Sequence, residues 1–169
     1  MRFRVLGCAG SIAEGGHTTS FLVDDDIVID AGTGLGTLSL DALAAIDHVF
    51  LSHSHVDHVG LLPMLVDSTL GRRREPIVVH AAQPTLEAVS AHVFNWKISP
   101  DFRDIDAQGH PAVRFSVLEP GRPVRLGRGM VVTHDADGRR RVVSPAGWFG
   151  EEGLAVLELG SGAPSWERV

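Results

Sequence analysis

Four potential metal ligands stand within six residues, in the run His53-Ser54-His55-Val56-Asp57-His58: His53, His55, Asp57 and His58. Neutral imidazoles and a carboxylate suit a borderline cation such as zinc, and also manganese or iron. A single histidine in a polar loop is ordinarily solvated. Three with an aspartate, pinned between apolar segments, point instead to a metal centre. Side chains alternate along an extended backbone, so His53, His55 and Asp57 are expected in one row with His58 facing elsewhere. That arrangement argues against one ion collecting all four groups. Two ions sharing one hydroxide fit better.

The flanking segments must hold this run in place. Val49-Phe50-Leu51 reads as a buried strand, and Val59 to Val66 as an apolar helix start that tolerates Pro63 in its first turn. A strand end followed by a helix start is where α/β folds present chemistry. Upstream, Phe3 to Leu6 reads as a strand leading into a Gly-rich loop, Gly7 to Gly16. Thr19 to Val23 and Ile27 to Ile29 read as a hairpin around the polar turn Asp24-Asp25-Asp26. The second of these strands ends at Asp30, whose carboxylate could accept the second N–H of a ligand imidazole and fix its tautomer; an ordinary turn or cap carboxylate is the alternative. Gly32, Gly34 and Gly36 lack the dinucleotide-binding spacing and carry little signal.

Further along, Leu38 to Ile46 reads as a short amphipathic helix, Pro76 to His80 as a strand, and Pro84 to Phe94 as a helix opened by proline. Val113 to Val117 and Met130 to Thr133 read as strands. His80 and His92 are expected to be packed or capping histidines rather than ligands. Asn95 to Phe102 mixes aromatic and polar residues and could wall a pocket or cap the core. Strands at both ends with helices between them predict an α/β sandwich rather than a bundle or an all-β barrel.

Composition narrows the function. A chain of 169 residues is most simply one domain with a substantial core. The net charge of −6 argues against a nucleic-acid surface, which carries a basic stripe. Arg72-Arg73-Arg74 and Arg139-Arg140-Arg141 could contact a phosphate, but solvated arginines are expected. The single cysteine excludes an internal disulfide and is compatible with a reducing compartment. Cys8 itself is expected to be a small buried residue in a tight turn. Without a signal-peptide core or a membrane-length apolar run, a cytoplasmic location and no membrane association are expected.

Leu51-Ser52-His53-Ser54-His55-Val56-Asp57-His58 resembles the metal-binding motif of the metallo-β-lactamase fold, a four-layer α-β-β-α sandwich. Asp30-Ala31-Gly32 sits where that superfamily carries the same tripeptide. Three stretches are more specifically similar to bacterial class II 3′,5′-cyclic-nucleotide phosphodiesterases: Thr18 to Val23, the metal motif with Leu61-Leu62-Pro63, and His92 to Phe102. The likeness runs from about residue 1 to 132 of a single domain spanning 1–169, with 133–169 divergent. It implies a hydrolase in which a metal-bound hydroxide attacks a cyclic phosphate. His53 and His55 would bind the first of two zinc ions, with manganese or iron as alternatives. Asp57 and His58 would bind the second, Asp57 also counting as a catalytic carboxylate, and Asp30 would support a ligand from behind.

The tail departs from that family. Where a further histidine ligand belongs stands Arg141, in Arg141 to Trp148, and Gly160-Ser161-Gly162 offers a serine in place of a bridging aspartate. His134 could replace the first missing ligand only at a different spacing, and no final histidine follows. A shifted reading frame near Thr133, a truncated gene and true divergence are all open. Each implies weak binding of at least one ion, low activity, and a sandwich incomplete at its C-terminal end, whose apolar surface is a candidate for homodimer formation. The alternatives to a cyclic-nucleotide phosphodiesterase are a ribonuclease Z-like phosphodiesterase of the same fold and a catalytically inactive metal-binding or interaction protein.

Overall fold

The computed structural model describes residues 2–119 and 122–126, and the backbone of four later strands within 131–168. Two compact units result, Arg2–Val117 and Leu118–Val169.

The first unit is built on a six-stranded sheet whose strands follow one another in chain order: β1 (Phe3–Gly7), β2 (Ser20–Val23), β3 (Ile27–Ile29), β4 (His48–Phe50), β5 (Ile77–Ala81) and β6 (Val113–Val117). β1, β2 and β3 pair antiparallel, the tight Asp24–Asp26 turn requiring this of β2 and β3. From β3 onward every pair is parallel, with Ile29 opposite Phe50 and Phe50 opposite His80. Parallel neighbours need crossover connections. These are α1 (Leu40–Ala44), α2 (Val56–Val59) with α3 (Leu62–Thr69), and α4 (Gln83–His92).

Local chemistry accounts for the helix starts. Ser39 caps α1, its hydroxyl accepting from the Ala42 N–H at 3.2 Å. Pro63 and Pro84 stand in the first turns of α3 and α4, where no backbone donor is lost. The first crossover helix is shorter than the expected Leu38 to Ile46, running Leu40–Ala44, and a 3₁₀ helix, Thr33–Thr37, precedes it. Leu62, Leu65 and Val66 of α3 and Leu86 and Val89 of α4 join Val28, Val49, Ile77 and Val79 of the strands in one core.

Two expectations are overturned in this unit. Cys8 is exposed, not buried: Gly7 occupies the tight position at the end of β1, where an added Cβ would lie 2.2 Å from the Thr18 carbonyl oxygen, and the next side chain turns outward. Arg73 is buried, not solvated. Its guanidinium donates to the Ala44 carbonyl that ends α1, to Asp47 Oδ1 at 2.7 Å and to the Glu75 carbonyl, so it ties the approaches to β4 and β5 together. Arg72 and Arg74 are exposed, as expected of surface cations, and Arg72 pairs with Asp41.

The second unit contains an antiparallel sheet in the order β11-β10-β9-β8-β7, comprising β7 (Val124–Arg125), β8 (Val131–His134), β9 (Arg140–Val143), β10 (Ala155–Leu159) and β11 (Ser165–Arg168). A strand was expected at Met130 to Thr133, and β8 stands there. His134 ends β8 opposite Arg140, and Arg141 pairs with Thr133 on one side and Glu158 on the other. Arg139, residues 144–148 and the Gly160–Gly162 segment lie outside the described residues.

Candidate metal centre

Asp30 and Ser52 follow the carboxyl ends of the adjacent parallel strands β3 and β4, the side of an α/β sheet where ligands bind. Asp30 adopts a left-handed backbone with φ 58°, a conformation short polar residues tolerate best. Its N–H donates to the Phe50 carbonyl at 2.8 Å, which keeps the two strand ends in step. Ala31 bridges onward: its N–H donates to the His58 carbonyl, and its carbonyl accepts from Leu61. Gly32 is required by packing. A Cβ there would lie 2.4 Å from the Asp57 carbonyl oxygen and 2.5 Å from Thr18 Oγ1. Thr18 and Thr33 close the same corner reciprocally, each hydroxyl accepting the other's N–H at 2.8 Å.

The motif does not run extended to its end. His53 lies in the loop after β4, His55 stands at the N-cap position of α2, and Asp57 and His58 lie within that helix. The expected row of His53, His55 and Asp57 with His58 facing away is therefore corrected. The helical turn brings the His58 ring back to His53, with centroids 4.1 Å apart, while the His53 and His55 rings are 4.5 Å apart and edge-on. His58 Nε2 lies 3.3 Å from Asp57 Oδ2.

Behind the rings sits a nearly buried carboxylate. Asp30 Oδ2 is 2.8 Å from His58 Nδ1 and accepts from the Ser52 hydroxyl at 2.6 Å, while its Oδ1 accepts from the Ser52 N–H at 2.6 Å. The Ser52 hydroxyl also lies 2.9 Å from His53 Nδ1 and 3.0 Å from His58 Nδ1. Burial holds the His53 imidazole below its ordinary pKa, and the neighbouring His58 and His55 rings add to that against Asp30 and Asp57. A neutral imidazole is the ligating form.

Chemically these donors fit a metal ion. With Asp30 engaging His58 Nδ1, the nitrogen turned toward Asp57 is Nε2. His55 makes no side-chain cap bond despite its N-cap position. Among the described residues no three donors already converge as a metal-binding group. The bordering His53, His55, Asp57 and His58 side chains are the ones that would hold an ion.

The remaining candidates lie apart from this cluster. His80 is a buried residue of β5, its ring stacked on Phe50 at 4.3 Å. His92 is the exposed last residue of α4. The stretch Asn95 to Phe102 divides its work: Phe94, just before it, and Phe102 are buried, whereas Trp96 and Ile98 stand in solvent. Sequence reasoning missed Ser52, the Thr18–Thr33 clamp and the packing need for Gly32. A hydroxyl immediately before a candidate ligand histidine was the one local signal available.

Over residues 26–152 the sequence matches the β-lactamase superfamily domain, and the chain belongs to that family. Its mixed α/β architecture is that of the metallo-β-lactamase fold: the metallo-β-lactamase fold protein YhfI from Bacillus subtilis aligns with a TM-score of 0.58 at 18% identity, over 83% of this chain and 57% of that one. The family is one of hydrolases. A probable 3′,5′-cyclic-nucleotide phosphodiesterase from Yersinia pestis is 26% identical over 151 residues, 72% of this chain and 42% of that protein. A ribonuclease Z from Halorubrum lacusprofundi is 31% identical over 150 residues, 82% of this chain and 41% of that protein. The chain thus spans about two-fifths of the length of both curated relatives. No helix among the described residues is long and apolar enough to cross a membrane.

Proposed function

We propose that this chain is a metal-dependent phosphodiesterase acting on 3′,5′-cyclic nucleotides. The observation that carries this reading is the cluster of His53, His55 and His58 with Asp30 behind it, at the carboxyl ends of two parallel strands. His53 and His55 would hold one ion, and Asp57 with His58 a second. Zinc is the first choice for this nitrogen and oxygen set, with manganese or iron next. Bound there, a metal supplies positive charge against phosphoryl oxygens and a nucleophile at neutral pH. Asp30 orients His58, while Asp57 contributes both a ligand and negative charge beside it. The similarity to the Yersinia pestis protein supports a cyclic phosphate as substrate.

By the resemblance, Arg141, in β9, would replace a further histidine ligand of the phosphodiesterases, so on this reading at least one ion is held weakly and turnover is slow. Elemental analysis of the zinc-loaded protein, combined with cyclic AMP hydrolysis, tests the whole reading. Chelator-sensitive hydrolysis that His55→Ala abolishes supports it; hydrolysis indifferent to both sinks it. One ion per chain without turnover would identify a metal-binding module instead. The ribonuclease Z relative favours a second reading, cleavage of RNA phosphodiesters. The net charge of −6 weighs against that substrate. A panel of cyclic nucleotides and RNA oligonucleotides separates the two.

A further inference from the structure

We propose that Ser52 is a positioning residue whose hydroxyl relays the Asp30 carboxylate to His53, so that one buried acid sets the tautomer of two imidazoles. The inference deepens the metal-centre reading and rests on it where His53 and His58 are taken as ligands.

A hydroxyl carries one proton and two acceptor lone pairs, whereas a carboxylate only accepts. Ser52 Oγ has three polar neighbours: Asp30 Oδ2 at 2.6 Å, His53 Nδ1 at 2.9 Å and His58 Nδ1 at 3.0 Å. The shortest of these has the length of a hydroxyl donating to a carboxylate, so the single proton points at Asp30. Both lone pairs then face the imidazoles, and each ring must bring its own proton on Nδ1. His58 shares its Nδ1–H between Ser52 and Asp30 Oδ2, 2.8 Å away. His53 gives its Nδ1–H to Ser52 alone among the contacts of this network. Both rings therefore present Nε2 as the ligating nitrogen. The Ser52 N–H donates to Asp30 Oδ1 at 2.6 Å, which holds the relay in register. Outer hydrogen-bond partners of this kind fix ring orientation and raise ligand basicity.

Histidine ¹⁵N NMR of the metal-free, isotopically labelled chain, at a pH where the imidazoles are neutral, reads the tautomers directly. Wild-type His53 and His58 should both carry the proton on Nδ1. In Ser52→Ala, His53 should move toward the Nε2–H form while His58, still held by Asp30, stays; Ser52→Thr should restore the wild-type pattern. Zinc affinity by chelator competition should fall about 10–100-fold in Ser52→Ala and recover to within about threefold in Ser52→Thr. A wild-type His53 protonated on Nε2 overturns the proposal without any variant having to fold. So does a His53 tautomer that ignores Ser52→Ala. If the tautomers respond as expected but zinc does not bind, the relay stands and the ligand assignment fails.

Discussion

Two groups of histidines lie around β4, one after its end and one on β4 and β5 themselves, and they differ in what stands behind their rings. His53 and His58 are backed by Asp30 and Ser52, at hydrogen-bond distance from their Nδ1 atoms. His48 and His80, on β4 and β5, have mainly each other: His48 Nδ1 is 3.0 Å from His80 Nε2, and His80 Nδ1 is buried without a hydrogen-bond partner among the described residues. Burial lowers the His48 pKa, opposed by Asp47 and Asp26, and drives His80 down to about 3, with His48 adding to the effect. An imidazole becomes a ligand candidate through an acceptor behind it and an open side in front. Without the acceptor, a strand histidine is an aromatic spacer stacked on Phe50.

The contrast breaks most visibly if the first group is dispensable. Replacing His58 by alanine removes a proposed ligand and leaves Asp30 a buried carboxylate, 3% exposed, without its ring. Hydrolysis should drop by more than about 100-fold, the upper end of what losing only an outer hydrogen-bond partner costs. Retention of wild-type kcat/KM would move the site elsewhere.

The second group should declare itself in stability rather than activity. In the unfolded chain His80 takes a proton near the ordinary imidazole value of 6.5, whereas folded His80 resists until about 3. Between those values the unfolded state binds more protons, so this contribution is fully present above about pH 6.5 and is lost as pH falls. Urea unfolding of wild type and His80→Phe at several pH values isolates it. The difference in slope should approach but not exceed ~1.4 kcal/mol per pH unit, the limit for one proton. Parallel curves would mean that His80 is already protonated in the fold.

Gly32→Ala should cost about 1–3 kcal/mol of stability, the usual range for forcing a methyl into a packed site. The carbonyls of Asp57 and Thr19 that its Cβ would meet are backbone and cannot swing aside. Thermal unfolding reads the loss. A variant of unchanged midpoint would show that the Asp30–Gly32 corner is loose, which would weaken the first group's claim to preorganisation.

Much of this was legible in the sequence, and the misses share one cause. Ile27–Ile29 and Ile77–Ala81 announce themselves as strands through β-branched runs beside acidic or proline-marked boundaries, and Val113–Val117 through its alternation. Pro84 marks α4 for the same local reason. The four donor types of the metal run needed no structure. Their directions did, because α2 is four residues long, too short for any periodicity to reveal that the chain turns helical at Val56. Ser52 meets Asp30 across 22 positions, Thr18 meets Thr33 across 15, and Arg73 meets Ala44 across 29. Such contacts are written in the fold, not in the neighbourhood of either residue.

The smallest expected effect is also the sharpest test of the contrast. His80→Phe leaves the metal run untouched, since His80 contacts Phe50 and His48 rather than any proposed ligand. Phenylalanine keeps a ring against Phe50 and removes the orphaned nitrogen, so the core loses no volume. Zinc affinity should stay within about threefold of wild type, against the 10–100-fold expected for Ser52→Ala. A zinc loss in His80→Phe as large as that in Ser52→Ala would make the two histidine groups one coupled site. Acid behind the ring would then not be what separates a ligand from a spacer here.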